Sequence, residues 1–471
     1  MSNKISFISG NFNVIHNGHI RLFKFAKSIS GKLIVGLYCD KLASESVYIS
    51  QNLRLEALRE INLIDKIVII KKNLKSTLIQ INPDLIVKGL EFQNEENEEL
   101  EIIKGTKCQL VFSSGEVDLS LKIKKDGLNN KILIRDYFNR HNIDKSQINL
   151  VIKKFNSLKV LVIGDLIIDE FIECNPIGMS KETNSIVYSF SKKNKYLGGA
   201  GIVAAHASAL GCKAHLLSTC GKDENGNYIS EKLKEYRVKS EIIKSSMINT
   251  VKKTRFSSDN NSVFRLNYLN NKLLSKNLSN KIFNKFEKLS NSIDLVIFSD
   301  FNYGCLDKNL TKKISNICLK KNIMISADSQ TSSQFGDISQ YQDCDLITPT
   351  ELEARSSLND SQSGLIILLE KLRKKTKANN ILLTQGKDGL LIHHFEKNNY
   401  SNDALTAFNK YPLNTSGAGD ALLVGASCAL KISNNIWLSA FIGNLMSAIQ
   451  ISREGNTPIH FNELSDEIKN I

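Results

Sequence analysis

The chain has 471 residues, 42% of them hydrophobic and 23% charged, with a formal net charge of +14. That length exceeds one ordinary core and implies two domains, and the composition is that of a globular protein. No apolar run reaches the roughly 18–20 residues that cross a bilayer, the start lacks a signal-peptide pattern, and the nine cysteines are scattered without a C-x-x-C pair, so membrane, secreted and disulfide-framework classes are set aside and a cytoplasmic protein is expected.

Short apolar runs at 5–8, 32–37, 66–70, 84–87 and 109–112 alternate with helical patterns, which predicts parallel strands with crossover helices. Residues from about 121 to 157 are polar and rich in Lys and Asn, with helical patterns at 132–140 and 147–155. They are expected to form a connector and lead-in helix over 126–157, between domains at 1–125 and 158–471. A second series opens with Val160-Leu161-Val162-Ile163-Gly164-Asp165, a buried strand ending at a turn, and continues at 214–218, 295–299, 323–327, 346–348 and 381–384. Both domains are thus predicted to be doubly wound α/β folds, in which ligands sit beyond the carboxyl ends of the strands. Segments 176–196 and 251–268 alternate like strands of a small lid sheet, and no repeat of 20–50 residues is present.

The first strand runs into Gly10-Asn11-Phe12-Asn13-Val14-Ile15-His16-Asn17-Gly18-His19, followed by a helical pattern. A glycine turn lets a ligand approach the backbone, and the helix start offers free N–H groups to phosphate. His16 and His19 can donate to the α-phosphate oxygens on which charge builds in a nucleotidyl transfer. These residues resemble the cytidylyltransferase-like nucleotidyltransferases, with their G-x-F-D-x-x-H-x-G-H pattern. The resemblance covers most of residues 4–124 and implies a nucleotide site at Gly10, Phe12, Lys27, Arg54, Lys88 and Gly89, with His16 and His19 catalytic. The sequence departs from that pattern at Asn13, which stands for Asp, and at 115–120, where Gly-Glu-Val-Asp-Leu-Ser replaces a Ser-Thr-Thr-type segment.

The strongest signal is Asn414-Thr415-Ser416-Gly417-Ala418-Gly419-Asp420 before an apolar helical run at 421–430. Small residues at a helix start expose successive N–H groups, an anion hole for a phosphoryl group, and Asp420 stands where a carboxylate can take a proton from an attacking hydroxyl. The pattern resembles the ribokinase-like carbohydrate kinases. That resemblance implies Asp420 as general base and Gly417, Ala418 and Gly419 as the anion hole. It further implies sugar contacts at Asp165, Asp169, Gly198 and Gly199, ATP contacts at Thr384, Gly386, Gly389 and Asn444, and Glu353 as an indirect, water-mediated ligand of Mg²⁺. Within that family the segments Lys253-Thr254-Arg255, Phe264-Arg265-Leu266-Asn267 and Ser299-Asp300-Phe301-Asn302-Tyr303-Gly304 are most similar to heptose 7-phosphate kinases of bacterial surface-sugar synthesis, which adds Arg255 and Arg265 to the sugar site. In bifunctional relatives the kinase usually precedes the nucleotidyltransferase; here the order is reversed.

The kinase pattern also has departures. Thr350 stands for the Asn of N-x-x-E, Ile202 and His206 for asparagines that often face the sugar, Asp328-Ser329-Gln330 for Asp-Pro-Lys, and Tyr303 for a lysine. The expected partners are a sugar or sugar phosphate and a nucleoside triphosphate. Nucleic acid is not expected, because the basic residues form no stripe with aromatic ones, and no membrane is expected. A homodimer stays open. The alternatives are a kinase with a degenerate front domain or a non-catalytic nucleotide- and sugar-binding protein.

Overall fold

A computed structural model describes residues 4–13, 17–43, 49–59, 61–89, 97–113, 133–258, 261–269, 275–331, 334, 336–396, 399–409 and 412–470, and the chain divides into two units, Met1–Asn129 and Asn130–Ile471. The first unit follows the alternation expected from its apolar runs. Its strands are β1 Ile5–Gly10, β2 Lys32–Tyr38, β3 Lys66–Ile70, β4 Leu85–Gly89 and β5 Gln109–Ser113, joined through α1 Asn17–Ile29, α2 Gln51–Arg59, α3 Leu74–Ile81 and α4 Glu98–Ile103. The order β3-β2-β1-β4-β5 is parallel throughout, so the winding reverses between β1 and β4. A crevice is expected at that reversal, beyond the strands' carboxyl ends. One face packs Ile8, Val35 and Val87 with Phe23 of α1, and the other packs Phe7, Ile34 and Ile86 with Leu78 of α3.

In the second unit, α5 (133–141) and α6 Lys145–Lys153 precede the sheet. Asp144 starts α6 in a reciprocal capping box with Gln147. Tyr137, Ile148, Ile152 and Phe155 are buried in the same core as β6, so residues 133–157 are built into this unit and do not simply lead to it. The main sheet comprises β6 Lys159–Gly164, then β9 Lys213–Gly221 and β10 Lys239–Ser245, β13 Leu295–Asp300, β14 Met324–Ser329, β15 Leu346–Ile347, β16 Asn380–Thr384, β17 Leu390–Glu396 and β18 Asn399–Leu405. Its order is β10-β9-β6-β13-β14-β15-β16-β17-β18, parallel except at the two final pairings. Val160, Leu161, Val162 and Ile163 are all fully buried, because helices cover both faces.

The lid sheet is larger than the sequence suggested. β7 Leu166–Met179 and β8 Ile186–Gly199 form a long hairpin, and β11 Val251–Ser258 with β12 Asn261–Tyr268 completes the order β12-β11-β7-β8. β7 begins one residue after Asp165, so the acidic run there is lid strand and not loop. The covering helices are α7 Ala200–Ala209, α8 Glu224–Glu235, α9 Lys276–Leu289, α10 Lys308–Lys320, α11 Glu351–Leu358, α12 Leu365–Thr376, α13 Ala418–Ser433, α14 Ile436–Ile451 and α15 Phe461–Asn470. α13 is buried from Asp420 to Leu430. Apolar all round, it is a core helix and not an amphipathic surface one.

His206 on α7 is fully buried, and its Nδ1 accepts from the Ile459 amide at 3.1 Å. Burial, with Arg453 as a lesser cause, lowers its pKa from 6.5 to about 3, so the folded ring is neutral. The unfolded chain takes up the extra proton as pH falls from 6.5 towards 3, and stability is lost across that window. His206→Gln, which cannot charge, should flatten the pH dependence of the urea midpoint between pH 6.5 and 4.5. Parallel wild-type and variant curves would reject the assignment.

Candidate active site

β7 and β11 separate their side chains by strand alternation. Glu170, on one face, is paired with Lys193 at 2.9 Å and accepts from Lys252 at 3.3 Å and the Thr254 hydroxyl at 3.0 Å; burial raises its pKa, but these neighbours bring it below the ordinary value. Asp169, on the other face, looks into a cleft of ≈ 1320 Å³ with Lys253 and Arg255. Its Oδ1 lies 3.5 Å from Arg255 Nη2 and makes no hydrogen bond. Burial raises its pKa, with Arg255 and Lys253 opposing.

The opposite wall is the mouth of α13. Gly417 adopts φ 78°, a left-handed conformation that turns Gly417, Ala418 and Gly419 into the helix start, and Ala421 N closes the first turn on Gly417 O at 3.0 Å. A Cβ on Gly417 would come within 2.2 Å of Asn456 Oδ1, so glycine is required there twice over. Asp420 is 5% exposed, lines the cleft, and leaves Oδ1 without a hydrogen bond. Burial first, then the charge of Asp169, push its pKa from 3.8 to about 7, with Lys253 opposing. Asn456, 2% exposed on the same cleft, likewise leaves Oδ1 unbonded. Three buried acceptors therefore converge on one cavity, and a ligand rich in hydroxyl donors satisfies them.

Thr384, Gly386, Gly389 and Asn444 line another part of this cleft. Asn444 Nδ2 donates to Thr406 O at 2.8 Å and so fixes the wall. Leu352 and Leu413, 63% and 73% exposed, offer apolar surface there. Glu353 accepts from Thr331 N at 2.7 Å and Thr350 N at 2.8 Å. Thr350 caps α11 and closes a reciprocal capping box with Glu353. Asp328 has its pKa driven well up by burial, Glu353 and Asp420. This crowding of carboxylates, with Glu353 already committed to amides, fits a hard divalent cation held through water. Among the described residues no group of three His, Cys, Asp or Glu is set to hold a metal ion directly.

Several expectations need correction. Asp165 is not in the cleft: its carboxylate accepts the amides of Phe301 at 2.9 Å, Tyr303 at 3.2 Å and Cys305 at 3.0 Å and so clamps the loop after β13. Gly198 lies behind Asp169, where a Cβ would approach Oδ2 to 2.5 Å, whereas Gly199 and Arg265 line the cleft. Tyr303 does not simply lose the lysine's charge, because its ring and that of Phe301 carry Lys253 Nζ at 5.3 and 5.2 Å. Lys253, Asn456, Leu352 and Leu413 were missed as site residues. Lys253 carried a signal in its alternation with Thr254; the other three had none in the local sequence.

In the first unit, Gly10 ends β1, Gly89 ends the neighbouring β4, and both stand at the reversal of the winding. Phe12 is buried at φ 49°, with the His19 ring edge-on at 5.3 Å. Lys27 is at the other end of the sheet, paired with Asp65, which also holds the Leu33 amide at the start of β2, so it is no nucleotide ligand. Arg54 is also corrected: it is fully buried, donating to Ile49 O, Asn11 O, Tyr38 O and Asp40, a clamp for the loops around the crevice. Lys88 pairs with Glu99 at 3.0 Å. His16 and residues 115–120 lie outside the described residues.

A family model described as pfkB family carbohydrate kinase matches residues 157–460, and one described as cytidylyltransferase-like matches residues 7–248. Similar curated proteins include Bifunctional protein HldE of Campylobacter fetus, 29% identical over 66% of this chain and 66% of that one, and its namesakes in Sulfurimonas denitrificans, 29% identical over 67% and 65%, and Helicobacter pylori, 28% identical over 65% and 65%. The matches thus span just under two thirds of those relatives' length. Among solved structures, phosphofructokinase-2 from Escherichia coli superposes with a TM-score of 0.55 at 13% identity, and ribokinase from Giardia lamblia with 0.53 at 17%, each over 66% of this chain and 99% of its own. These low identities speak to the fold alone, which is ribokinase-like. By its sequence matches, the chain belongs to the pfkB family of carbohydrate kinases and to the cytidylyltransferase-like family, joined in one polypeptide.

Proposed function

We propose that the second unit transfers the γ-phosphoryl group of ATP to a hydroxyl of a sugar or sugar phosphate similar to heptose 7-phosphate, and that the first unit joins a nucleotide to the resulting sugar 1-phosphate, for nucleotide-sugar synthesis in the cytoplasm. The observation that carries the kinase half is the unbonded Asp420 carboxylate beside the amide cradle of Gly417 to Gly419. Asp420 takes the hydroxyl proton as the sugar oxygen bonds to phosphorus, and the electron pair of the breaking bond leaves with ADP. Asp169 and Asn456 accept from other hydroxyls and set the sugar's orientation. Thr384, Gly386, Gly389 and Asn444 border the nucleotide, with Leu352 and Leu413 as apolar surface for its base. Glu353 and Asp328 would hold Mg²⁺ through water, and the ion would supply charge neutralisation at the phosphates.

A second reading, a kinase whose front unit no longer transfers nucleotides, is favoured by the internal commitments of Lys27, Arg54 and Lys88. Pyrophosphate release from sugar 1-phosphates with each nucleoside triphosphate decides between them. The bifunctional reading expects release that His19→Ala abolishes, and the second expects none while phosphorylation persists.

The kinase half is tested with ATP and a panel of heptoses, hexoses and their phosphates; no turnover with any of them would sink it. kcat/KM should rise with pH through about 7, where Asp420 loses its proton. Asp420→Asn should lower turnover by about 10²–10⁴. It should also raise stability at pH 8, by about 2–4 kcal/mol, because an acid whose folded pKa lies above its unfolded value destabilises the fold once ionised. That gain should shrink steadily as pH falls from 7 and vanish below about pH 3, where both states are protonated. Gly417→Ala should lose phosphorylation and about 1–2 kcal/mol of stability from the left-handed backbone, with further loss from the clash with Asn456, measured by urea unfolding.

A further inference from the structure

We propose that Arg255 is a catalytic residue of the phosphoryl transfer, a cation carried by the lid to the group in flight and not a holder of the sugar. The proposal rests on the kinase reading above. Arg255 lies on the cleft face of β11, and its Nη1 donates to the hydroxyl of Ser416, the residue immediately before Gly417. Ser416 is itself fixed, its amide donating to Asn414 Oδ1 at 2.9 Å and its carbonyl accepting from Gln450 Nε2 at 3.4 Å. The guanidinium is therefore held at the rim of the amide cradle. Its Nη2 stands 3.5 Å from Asp169, and the Phe171 ring lies 5.0 Å beneath the guanidinium carbon. Arg255 thus bridges from the acid that orients the sugar to the loop that receives the phosphoryl group.

Two further features ask for an anion. Arg255 is directly opposite Arg265 in the β11–β12 register, and both line the cleft. Like charges so placed repel; Asp169, 3.5 Å from Arg255, offsets one of the two, and an anion between them offsets the other. Of the five N–H donors of Arg255, only one makes a hydrogen bond among the described residues, and its acceptor is the neutral Ser416 hydroxyl. During transfer the sugar oxygen forms its bond to the γ-phosphorus while the bond to the β–γ bridging oxygen breaks. The electron pair leaves with ADP and the proton goes to Asp420. Charge spreads over the three equatorial oxygens. The cradle amides face that charge from α13, and Arg255 faces it from the lid. The lid then completes the site only when it lies over the cleft, which couples sugar engagement to transfer.

The test is steady-state phosphorylation of heptose 7-phosphate by wild type, Arg255→Lys and Arg255→Ala, with circular dichroism as a control for folding. Arg255→Ala should lower kcat by about 100-fold or more and leave KM for the sugar within about threefold. Lysine should recover part of the loss, and added guanidinium should rescue the alanine variant alone. By calorimetry, ADP with aluminium fluoride and heptose 7-phosphate should form a tight complex with wild type and a much weaker one with Arg255→Ala, while the sugar phosphate alone binds both equally. A raised KM with kcat kept would return Arg255 to sugar binding and overturn the proposal, as would unchanged kinetics. A wild type silent with heptose 7-phosphate and with every other sugar of the panel would overturn the kinase reading itself, a result distinguishable from failure at Arg255.

Discussion

A carboxylate buried without a hydrogen-bond partner among the described residues is the constraint on which the second unit turns. Asp420 opens α13, whose next ten residues are buried, so the helix cannot slide to let the acid reach solvent. Burial outweighs the favourable helix terminus and leaves the group near neutrality in pKa. On the proposed kinase reading, the fold keeps a costly charge where a proton is taken, an exchange of stability for chemistry common at active sites.

The same acid type does different work along the carboxyl edge of the main sheet. Asp165 is saturated by three amides. Asp300 is held by Tyr341 at 2.8 Å, Gln340 at 2.9 Å and Ser329 at 3.2 Å, and burial and Asp165 raise its pKa to about 7. Both organise loops. Asp169 and Asp420 keep unbonded oxygens facing the cleft, and that difference separates scaffold from site.

The first unit presents the contrast. A crevice is expected at the reversal of its sheet, yet the three cations expected to serve a nucleotide have carboxylates of their own: Asp65, Asp40 and Glu99. Arg54 in particular holds three backbone carbonyls, those of Ile49, Asn11 and Tyr38.

Much of this was legible along the chain. Apolar runs placed nearly every parallel strand, since a strand covered on both faces reads as continuous hydrophobic sequence. The glycine run before Asp420 marked the helix start, because the left-handed turn at Gly417 favours glycine. Strands β17 and β18 were not legible because they mix polar residues without a clear period, and the early start of the lid was not because the buried run from Leu166 follows directly on that of β6. Nor could the sequence say that Asp165 and Arg54 are spent on backbone groups, or that Asn456 and Leu413 meet Asp420 across one cleft. Local pattern determines which elements form, whereas which donor each charge meets depends on atoms far apart in sequence, and only tertiary packing decides that.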